Sequence, residues 1–465
     1  MSIQLNKKDS KRRKFILEGD LWQVVLSISM PLAIYNGFNH LFSFLDTMMA
    51  AHIGSEVVSA ISYLVQIKTM IMAIGAGLAI GGGIIIARYY GADDIRNAKK
   101  CANTLVFLTI GISLILLAVL LPFTKQILRL ANTPEELIAV GSGYFTVEII
   151  MIISIFINNV YIAIEKAKGN TKSILHLNLM VLAVKLALTA LFVYVLNYGI
   201  TMMAMATLIA HLMLTVFAMT HMLRPDNVFR ISFKDVDLSL KFIWPILVLA
   251  LPIFFERFTF SFGKVIVNSM SAFYGSMVVG ALGVSNNIGG VIISIGNGFQ
   301  EGEASIISQN LGNENFERAV NVFKKTLIVS LVLGGMGLLL TTVFMDQIIR
   351  VFARGDLAFA EEITNVFKYE RWAVVTMTVS SAVMGLLYGF GYTKLSLVIN
   401  FMRLFALRIP TLYLFQTFTN LGSESVGIAM LVSNGLIGVT SVIIGFVIIE
   451  KMKKEGRYHK IVTTH

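Results

Sequence analysis

The sequence predicts an all-α polytopic membrane protein whose twelve transmembrane helices form two parallel six-helix repeats, an N-lobe and a C-lobe, around a central cavity. Three observations lead to this fold class: the composition, the number of long apolar segments and an internal repeat. Of the 465 residues, 56% are hydrophobic and only 14% are charged, and the mean hydropathy is +0.76. Because soluble domains contain about 25% charged residues, this chain is expected to lie in a lipid bilayer.

Twelve apolar segments, separated by short polar breaks, are each long enough for a membrane-spanning helix, which needs about 20 residues. The expected limits of these spans are 21–51, 57–87, 101–122, 138–164, 173–196, 200–222, 242–268, 277–308, 323–345, 366–390, 395–417 and 425–449.

The orientation of the chain in the membrane follows from the distribution of its charged residues. Lys and Arg concentrate before the first span, after the last one and in every second loop, whereas the alternate loops are short or acidic. The positive-inside rule therefore places both termini in the cytoplasm, in agreement with an even number of spans. We expect a multi-pass protein of a bacterial cytoplasmic (inner) membrane. This topology accounts for most of the net charge of +11, so no nucleic-acid partner is expected.

Matched residues recur at a nearly constant separation along the chain, which indicates an internal repeat. The separation is 221 positions for Pro31 and Pro252 and 222 positions for Gly169 and Gly391. Further pairs separated by 221 positions are Gly77 with Gly298, Gly81 with Gly302, and Gly91 with Gly312. Because each half holds six spans and begins on the same side, the repeats are parallel. Secondary transporters of this architecture bind a substrate between two bundles and expose it to each side in turn.

The longest hydrophilic connection lies near the middle of the chain and separates the two repeats. The expected domains are a basic cytoplasmic N-terminus (1–20), an N-lobe with spans 1–6 (21–222), a cytoplasmic linker (223–241), a C-lobe with spans 7–12 (242–449) and a basic cytoplasmic tail (450–465). The parallel repeat, together with the lack of a soluble sensor domain, disfavours a channel or a sensory protein.

The sequence lacks the common motifs of enzymes and primary pumps. It contains neither an HExxH metal site nor a Walker motif, and Cys101 is the only cysteine. The glycine-rich stretch 75–83 lies inside a span and lacks the Gly-Lys-Ser/Thr ending of a phosphate-binding loop, so it indicates close packing or bending of helices. We expect no enzymatic activity, no cofactor and no metal centre.

Several ionisable residues are predicted at membrane depth, where an uncompensated charge costs several kcal/mol. The carboxylates are Asp46, Glu148, Glu256, Glu301 and Glu303, and the cations are Lys68, Lys185, Arg257, Lys264, Arg403 and Arg408. Two interpretations remain open: these groups pair with one another and fix helix packing, or they line a polar cavity for a charged or amphipathic substrate. For Asp46 a third interpretation is a position at the helix mouth, from which the side chain reaches the interface.

Four motifs together resemble the multidrug and toxic compound extrusion (MATE) family. They are an LxxxMP segment followed after fourteen residues by Asp46-Thr47, the repeated segments that end at Gly91 and Gly312, the LPxxxE motif at Glu256, and the AxAT motif at Thr207. The resemblance covers essentially the whole chain. It implies an exporter, expected to be a monomer, with two six-helix lobes in a V, driven by re-entry of Na⁺ or H⁺.

The resemblance also implies a cation-coupling site in the N-lobe. The family's site uses an Asp in helix 1, an Asn and an Asp four residues apart in helix 5, and a Thr in helix 6. Asp46 and Thr207 match this pattern, but Lys185 stands where the family has Asn and Thr189 where it has Asp. Asn178 lies nearby, about two turns earlier, and its repeat counterpart Asn400 indicates a general packing role.

The Lys185 substitution predicts a different chemistry at Asp46. We expect Lys185 to form an ion pair with Asp46 and to act as a tethered internal cation that competes with Na⁺ for the carboxylate. Proton coupling remains possible, because protonation of Asp46 would break the pair and release helix 1. The burial that disfavours a charged carboxylate is opposed by the nearby ammonium.

The substrate cavity is predicted from the remaining intramembrane charges. Glu256 matches a helix-7 acid found in one branch of the family, although the helix-10 Asp of that branch is not evident here. The predicted cavity residues are Glu256, Arg257, Lys264, Glu301, Glu303, Arg403 and Arg408. The leading hypothesis is an antiporter, coupled to H⁺ rather than Na⁺, that exports amphipathic and cationic drugs or toxic metabolites.

The alternative hypothesis is a flippase or exporter of anionic lipid-linked or polysaccharide substrates in the same superfamily. The intramembrane Lys and Arg residues favour it, whereas twelve spans rather than the fourteen typical of lipid II flippases count against it. The two hypotheses differ in one structural respect. Basic side chains that face the cavity without a carboxylate partner would favour anionic substrates, and complete pairing would disfavour them.

Overall fold

The computed structural model describes residues 5–53, 55–130, 133, 135–353 and 355–455, and every element of regular secondary structure within them is helical. Within these described ranges, twelve helices are long and apolar enough to cross a membrane, which confirms the predicted number of spans. The last residues of the predicted basic tail, 456–465, lie outside the described part of the chain, as do residues 1–4.

In the N-terminal half, a short helix precedes the six spans. The helices are α1 (Lys7–Glu18), α2 (Leu21–Ile53), α3 (Ser55–Gly91), α4 (Ile95–Leu120), α5 (Thr124–Leu130), α6 (Glu135–Ala167), α7 (Thr171–Ala190) and α8 (Ile200–Leu223). A π-helical turn, Leu191–Val195, follows α7. Spans 1–6 are therefore α2, α3, α4, α6, α7 and α8.

The C-terminal half repeats this pattern with additional breaks. Its helices are α9 (Leu240–Ser271), α10 (Ser276–Gly312), α11 (Phe316–Val343), α12 (Met345–Ala353), α13 (Leu357–Glu370), α14 (Ala373–Phe390), α15 (Thr393–Phe401), α16 (Ile409–Phe418) and α17 (Glu424–Glu455). Span 10, expected to begin at residue 366, begins at Ala373, because the helix is interrupted after Glu370. A π-helical segment, Met402–Arg408, joins α15 to α16 within span 11.

The repeated glycines lie where helices of the two lobes cross. Gly77 and Gly81 of α3 contact α9 of the other lobe at Ala250 and Phe254, and the equivalent Gly298 of α10 contacts the backbone of α2 at Ala33. At each of these glycines, an added Cβ atom would overlap main-chain atoms of the facing helix. The interpretation of these glycines as packing residues is therefore confirmed, with the closest approaches lying between the lobes.

The first and the last described helices, α1 and α17, meet at one end of the helix bundle, called here the terminal end. Ile16 of α1 and Met452 of α17 belong to the same buried apolar cluster. The guanidinium of Arg318, at the start of α11, donates hydrogen bonds to the carbonyls of Ile16 and Gly19, at 3.1 and 2.5 Å. Arg13 of α1 donates to the carbonyls of Tyr90 and Gly91 in the N-lobe. Helix α1 thus connects the two lobes.

The linker between α8 and α9 packs against the N-lobe through α4. Asn103 accepts a hydrogen bond from the backbone of Ser232 at 2.8 Å, and Lys99 and Lys100 form ion pairs with Asp235 and Asp237, at 2.8 and 3.2 Å. Hydrogen bonds from Ser239, together with the Lys100 ammonium, hold the pKa of Asp237 below its ordinary value.

Candidate functional site

A cavity of about 550 Å³ lies between the lobes and is lined by side chains from both. The N-lobe contributes residues of α2, α3 and α6, and the C-lobe contributes residues of α9, α10, α14, α15 and the π segment. The charged residues in the wall are Lys166, Glu256, Arg257, Glu301 and Arg403. Apolar side chains such as Ile84, Phe260 and Met384 lie between them, so the cavity has the mixed lining expected of a site for amphipathic molecules.

Near the terminal end, polar contacts cross from one lobe to the other. Lys166 of α6 forms an ion pair with Glu301 of α10 at 2.7 Å, and Asn36 of α2 donates to the same carboxylate at 3.3 Å. The carbonyls of Lys166 and Ala167 accept hydrogen bonds from Ser305 and Gln309. In this conformation the lobes are therefore held together between the cavity and the termini.

Glu256 is the buried acid of the C-lobe wall, and neutral donors surround it. Its Oε1 accepts hydrogen bonds from Asn400 at 2.8 Å and from Tyr388 at 3.0 Å, and its Oε2 accepts one from Ser396 at 2.6 Å. These donors belong to two other helices of the same lobe, α14 and α15. Glu256, a predicted cavity residue, lies in the wall of this cavity, and both of its oxygens have protein partners.

The two arginines of the wall, Arg257 and Arg403, have no direct carboxylate partner among the described residues. Arg257 is exposed to the cavity, and Arg403 is 6% exposed with its guanidinium 4.6 Å from the ring centre of Phe260. Arg403 donates to the sulfur of Met377, and its Nε is buried without a hydrogen-bond partner. Within the described part of the chain, neither arginine forms an ion pair closer than 4.0 Å.

Three predicted cavity residues, Lys264, Arg408 and Glu303, lie outside the cavity wall. Lys264 lies over the ring of Phe260 at 5.1 Å, and Arg408 donates to Ser433 and Asn434 within the C-lobe. Glu303 faces the contact with α14 beside Gly385, because α10 turns its neighbour Glu301, and not Glu303, toward the other lobe.

Two ion pairs of the N-lobe join residues that were predicted at membrane depth. Lys185 of α7 contacts the carboxylate of Asp46 in α2, as the sequence predicted, and the two side chains are 21% and 25% exposed. Lys68 of α3 pairs with Glu148 of α6 at 2.7 Å. Lys68 and Lys185, the predicted intramembrane lysines of the N-lobe, therefore each have a carboxylate partner. This agrees with the interpretation that intramembrane charges pair with one another.

The other residues of the predicted coupling site do not join this pair. The side chains of Asn178 and Thr207 donate to the backbone carbonyls of Ile174 and Met203 in their own helices. Thr189 is buried, and its hydroxyl has no partner among the described residues. Of the five predicted coupling residues, only Asp46 and Lys185 contact each other, because the ammonium already occupies the carboxylate.

Sequence reasoning missed several residues of the site. Lys166 belongs to a basic stretch that we assigned to a loop, although it lies in α6 and pairs across the cavity. Asn400, interpreted as a packing residue, donates to Glu256, and Tyr388 and Ser396 carry no motif that would have identified them. The signal available for Asn400 was its position in the repeat, opposite Asn178.

Comparisons with known proteins agree with the two-lobe arrangement. The model of the MatE family matches residues 31–191 and 252–414, one segment in each lobe. The probable multidrug resistance protein YpnP of Bacillus subtilis is 23% identical over 424 residues, which cover 89% of this chain and 92% of that protein. The multidrug export protein MepA of Staphylococcus aureus (strain N315) is 19% identical over 433 residues, or 93% of this chain and 95% of that protein.

Solved structures share the fold over nearly the whole chain. An outward-facing multidrug resistance MATE transporter of the MOP superfamily superposes with a TM-score of 0.90 at 20% identity, covering 97% of this chain and 99% of the other. A MOP superfamily transporter from Pyrococcus furiosus, described as having a binding pocket of reversed polarity, gives the same values. These relatives are transporters and not enzymes, as the sequence led us to expect. Because the family model covers both lobes, this multi-pass membrane protein belongs to the MatE family.

Proposed function

We propose that this protein is a secondary exporter of amphipathic small molecules that works by alternating access in a bacterial cytoplasmic membrane. The observation that carries the proposal is the cavity between two repeat-related lobes, with charged and apolar residues in its wall. A site between parallel repeats can be exposed to either side when one bundle moves against the other. The multidrug export proteins among the relatives support this function.

The contacts at the terminal end supply the barrier that alternating access requires. With the termini in the cytoplasm, the Lys166–Glu301 ion pair and the packing of Gly298 on Ala33 separate the cavity from the cytoplasm. Opening on that side would break the ion pair and part α2 from α10. The conformation is therefore interpreted as the one closed toward the cytoplasm.

The N-lobe pair of Asp46 and Lys185 supports coupling to protons and not to Na⁺. Sodium takes several oxygen ligands, but the ammonium of Lys185 contacts the carboxylate, and Thr207 donates to its own helix. A proton has a simpler effect, because a neutral Asp46 no longer attracts Lys185. Loss of that attraction would free α2 from α7, and α2 also packs on the opposite lobe through Ala33.

Transport into everted membrane vesicles tests this function and its coupling. Ethidium and fluorescein are supplied separately, under a pH gradient alone or a Na⁺ gradient alone, to the wild type, Asp46→Asn and Thr207→Ala. We expect accumulation of at least one dye that follows the pH gradient, falls at least tenfold in Asp46→Asn and persists in Thr207→Ala. Uptake that follows the Na⁺ gradient alone, or an Asp46→Asn variant as active as the wild type, would contradict proton coupling at this pair.

A second candidate function, export of anionic amphipathic or lipid-linked substrates, is favoured by the arginines of the cavity wall. Arg257 and Arg403 face the cavity without a carboxylate partner within 4.0 Å among the described residues. This was the arrangement expected for anionic substrates.

A further inference from the structure

The two lobes differ in how their intramembrane cations are paired with carboxylates. In the N-lobe, two lysines face two carboxylates in direct ion pairs. Within its predicted spans, the C-lobe holds the carboxylates Glu256, Glu301, Glu303 and Glu370 and the cations Arg257, Lys264, Arg403 and Arg408. Glu370 is the repeat counterpart of Glu148, 222 positions later, but it accepts a hydrogen bond from Ser285 and forms no ion pair within 4.0 Å with a described cation. Among the described residues, none of these four cations has a carboxylate within 4.0 Å, whereas Lys68 and Lys185 of the N-lobe both do.

Cations of the C-lobe without an ion-pair partner among the described residues lie next to the cavity. The ring of Phe260 has Arg403 at 4.6 Å and Lys264 at 5.1 Å from its centre, so both cations lie beside one aromatic side chain of the wall. Lys264 lies near the like charges of Arg403 and Arg408 and near the opposite charge of Glu370. Cations that repel one another are kept at membrane depth only where water, an aromatic face or an anion compensates them.

The acids of the cavity wall, by contrast, are occupied by the protein. Both oxygens of Glu256 accept hydrogen bonds from Asn400, Tyr388 and Ser396, and Glu301 is bound by Lys166 and Asn36. A cationic substrate would have to displace these donors. An acidic group would instead meet two guanidinium groups that form no ion pair among the described residues, and in Arg403 one nitrogen donates to the Met377 sulfur while the buried Nε has no partner there. Guanidinium donors match the planar oxygens of carboxylates and phosphates in a bidentate arrangement.

We infer that Arg403 and Arg257, supported by Phe260, form a subsite for the acidic group of an amphipathic substrate. The inference rests on the proposed function of the cavity and names the substrate class as anions with an apolar body. The apolar part lies against Ile84, Met377 and Met384, which line the same cavity. A carboxylate, a sulfonate or the phosphate of a lipid-linked molecule presents the same chemistry to the two arginines.

Equilibrium binding of matched dyes tests the subsite. Fluorescein and rhodamine 6G share a xanthene ring system and carry opposite charges at neutral pH. Purified full-length protein in detergent is titrated with each dye, and fluorescence anisotropy reports the affinity. We expect fluorescein to bind at least tenfold more tightly than rhodamine 6G. We expect Arg403→Gln to weaken fluorescein binding about tenfold to a hundredfold, the effect of losing a charge-assisted hydrogen-bonded pair, without weakening rhodamine 6G.

Three further variants separate recognition from folding. Arg403→Lys keeps the charge but not the planar donors, so its affinity for fluorescein should lie between those of the wild type and Arg403→Gln. Arg257→Gln alters a side chain that is exposed to the cavity and should lower the affinity without loss of the folded protein. Arg350→Gln is the control, because this exposed arginine of α12 is not in the cavity wall. Thermal unfolding and gel filtration verify that each variant is folded.

Two outcomes would overturn the inference: equal or tighter binding of rhodamine 6G by the wild type, or unchanged fluorescein affinity in folded Arg403→Gln and Arg257→Gln. Displacement of fluorescein by dodecyl phosphate would support the subsite with a lipid-linked phosphate as ligand, and displacement by 1-naphthoate alone would support it with compact aromatic acids. Failure of both competitors would count against it. The titration uses no ion gradient, so its result is independent of whether Asp46 couples transport to protons.

Discussion

Glu303 lies at the contact between α10 and α14, with the side chain fully buried and neither carboxyl oxygen hydrogen-bonded among the described residues. The carboxyl group fills the space beside Gly385, where an added Cβ atom would overlap it. An isolated negative charge in such a place costs several kcal/mol. The side chain therefore contributes by its shape, and no described residue compensates a charge there.

Replacement of Glu303 by Gln should be tolerated for this reason. The amide has the same shape and no charge, so we expect Glu303→Gln to unfold at the same temperature as the wild type or at a higher one. The matched control is Glu148→Gln, which leaves Lys68 without its partner and should lower the free energy of unfolding by about 2–4 kcal/mol. Thermal unfolding of the purified proteins gives both values. A loss of stability in Glu303→Gln as large as in Glu148→Gln would show that Glu303 has a charged partner.

The π-helical segment Met402–Arg408 determines which cations of span 11 lie together. In a regular α-helix, residues five apart point about 140° away from each other. In a π-helix, hydrogen bonds connect residue i with residue i+5, which brings residues five apart onto nearly one face. Arg403 and Arg408 therefore lie on nearly the same side of span 11. The segment precedes Pro410, which has no N–H group and whose ring would clash with the carbonyl of Ala406 in an α-helix.

Replacement of Pro410 by Ala should therefore change the subsite from a distance. With an N–H group restored, residues 402–408 can return to α-helical geometry, which rotates Arg403 relative to Arg408. We expect Pro410→Ala to weaken fluorescein binding about tenfold, a loss of one well-placed charged hydrogen bond. Pro245→Ala is the control, because Pro245 also lies inside a helix, α9, but not in the cavity wall. The anisotropy titration measures both, and wild-type affinity in Pro410→Ala would refute the link between the π segment and binding.

Glycines in α3 and α10 determine how closely the two lobes approach each other. Gly298 lies against the backbone of Ala33, and Gly77 and Gly81 occupy the equivalent crossing of α3 with α9. These crossings lie between the lobes, whereas the ion pairs of the N-lobe lie within it. Conformational exchange therefore requires the glycine contacts to open and close while each lobe keeps its own core.

Substitution of Gly298 by Ala should disfavour the conformation that is closed at the terminal end. The added methyl group cannot be accommodated without separation of α10 from α2, so we expect transport to fall at least tenfold. Gly283→Ala on the same helix is the control, since nothing lies within 4 Å of the position of its Cβ.

The shift in conformation is measured by labelling of a cysteine at Ser305, in a Cys101→Ser background, with a membrane-impermeant maleimide added to everted vesicles. Ser305 donates to the carbonyl of Lys166 at the contact between the lobes. Labelling should be faster in Gly298→Ala than in Gly283→Ala. Equal rates in the two proteins would mean that the close approach of α10 and α2 does not control access.

The sequence alone determined the twelve spans, the parallel repeat and the pairing of Asp46 with Lys185. These features depend on apolar length, on residue spacing and on the cost of a charge in the bilayer, all of which act locally along the chain. The glycines were identified as packing residues from their position inside a span, where small residues let helix backbones approach closely.

Only the tertiary structure decided which charges face the cavity. Lys166 and Asn400 became part of the site and Glu303 left it, because helical spacing tells which residues share a face but not which neighbour that face meets. The neighbour depends on how the two lobes dock, and in span 11 on the π segment before Pro410, which shifts the helical register beyond what a regular period predicts.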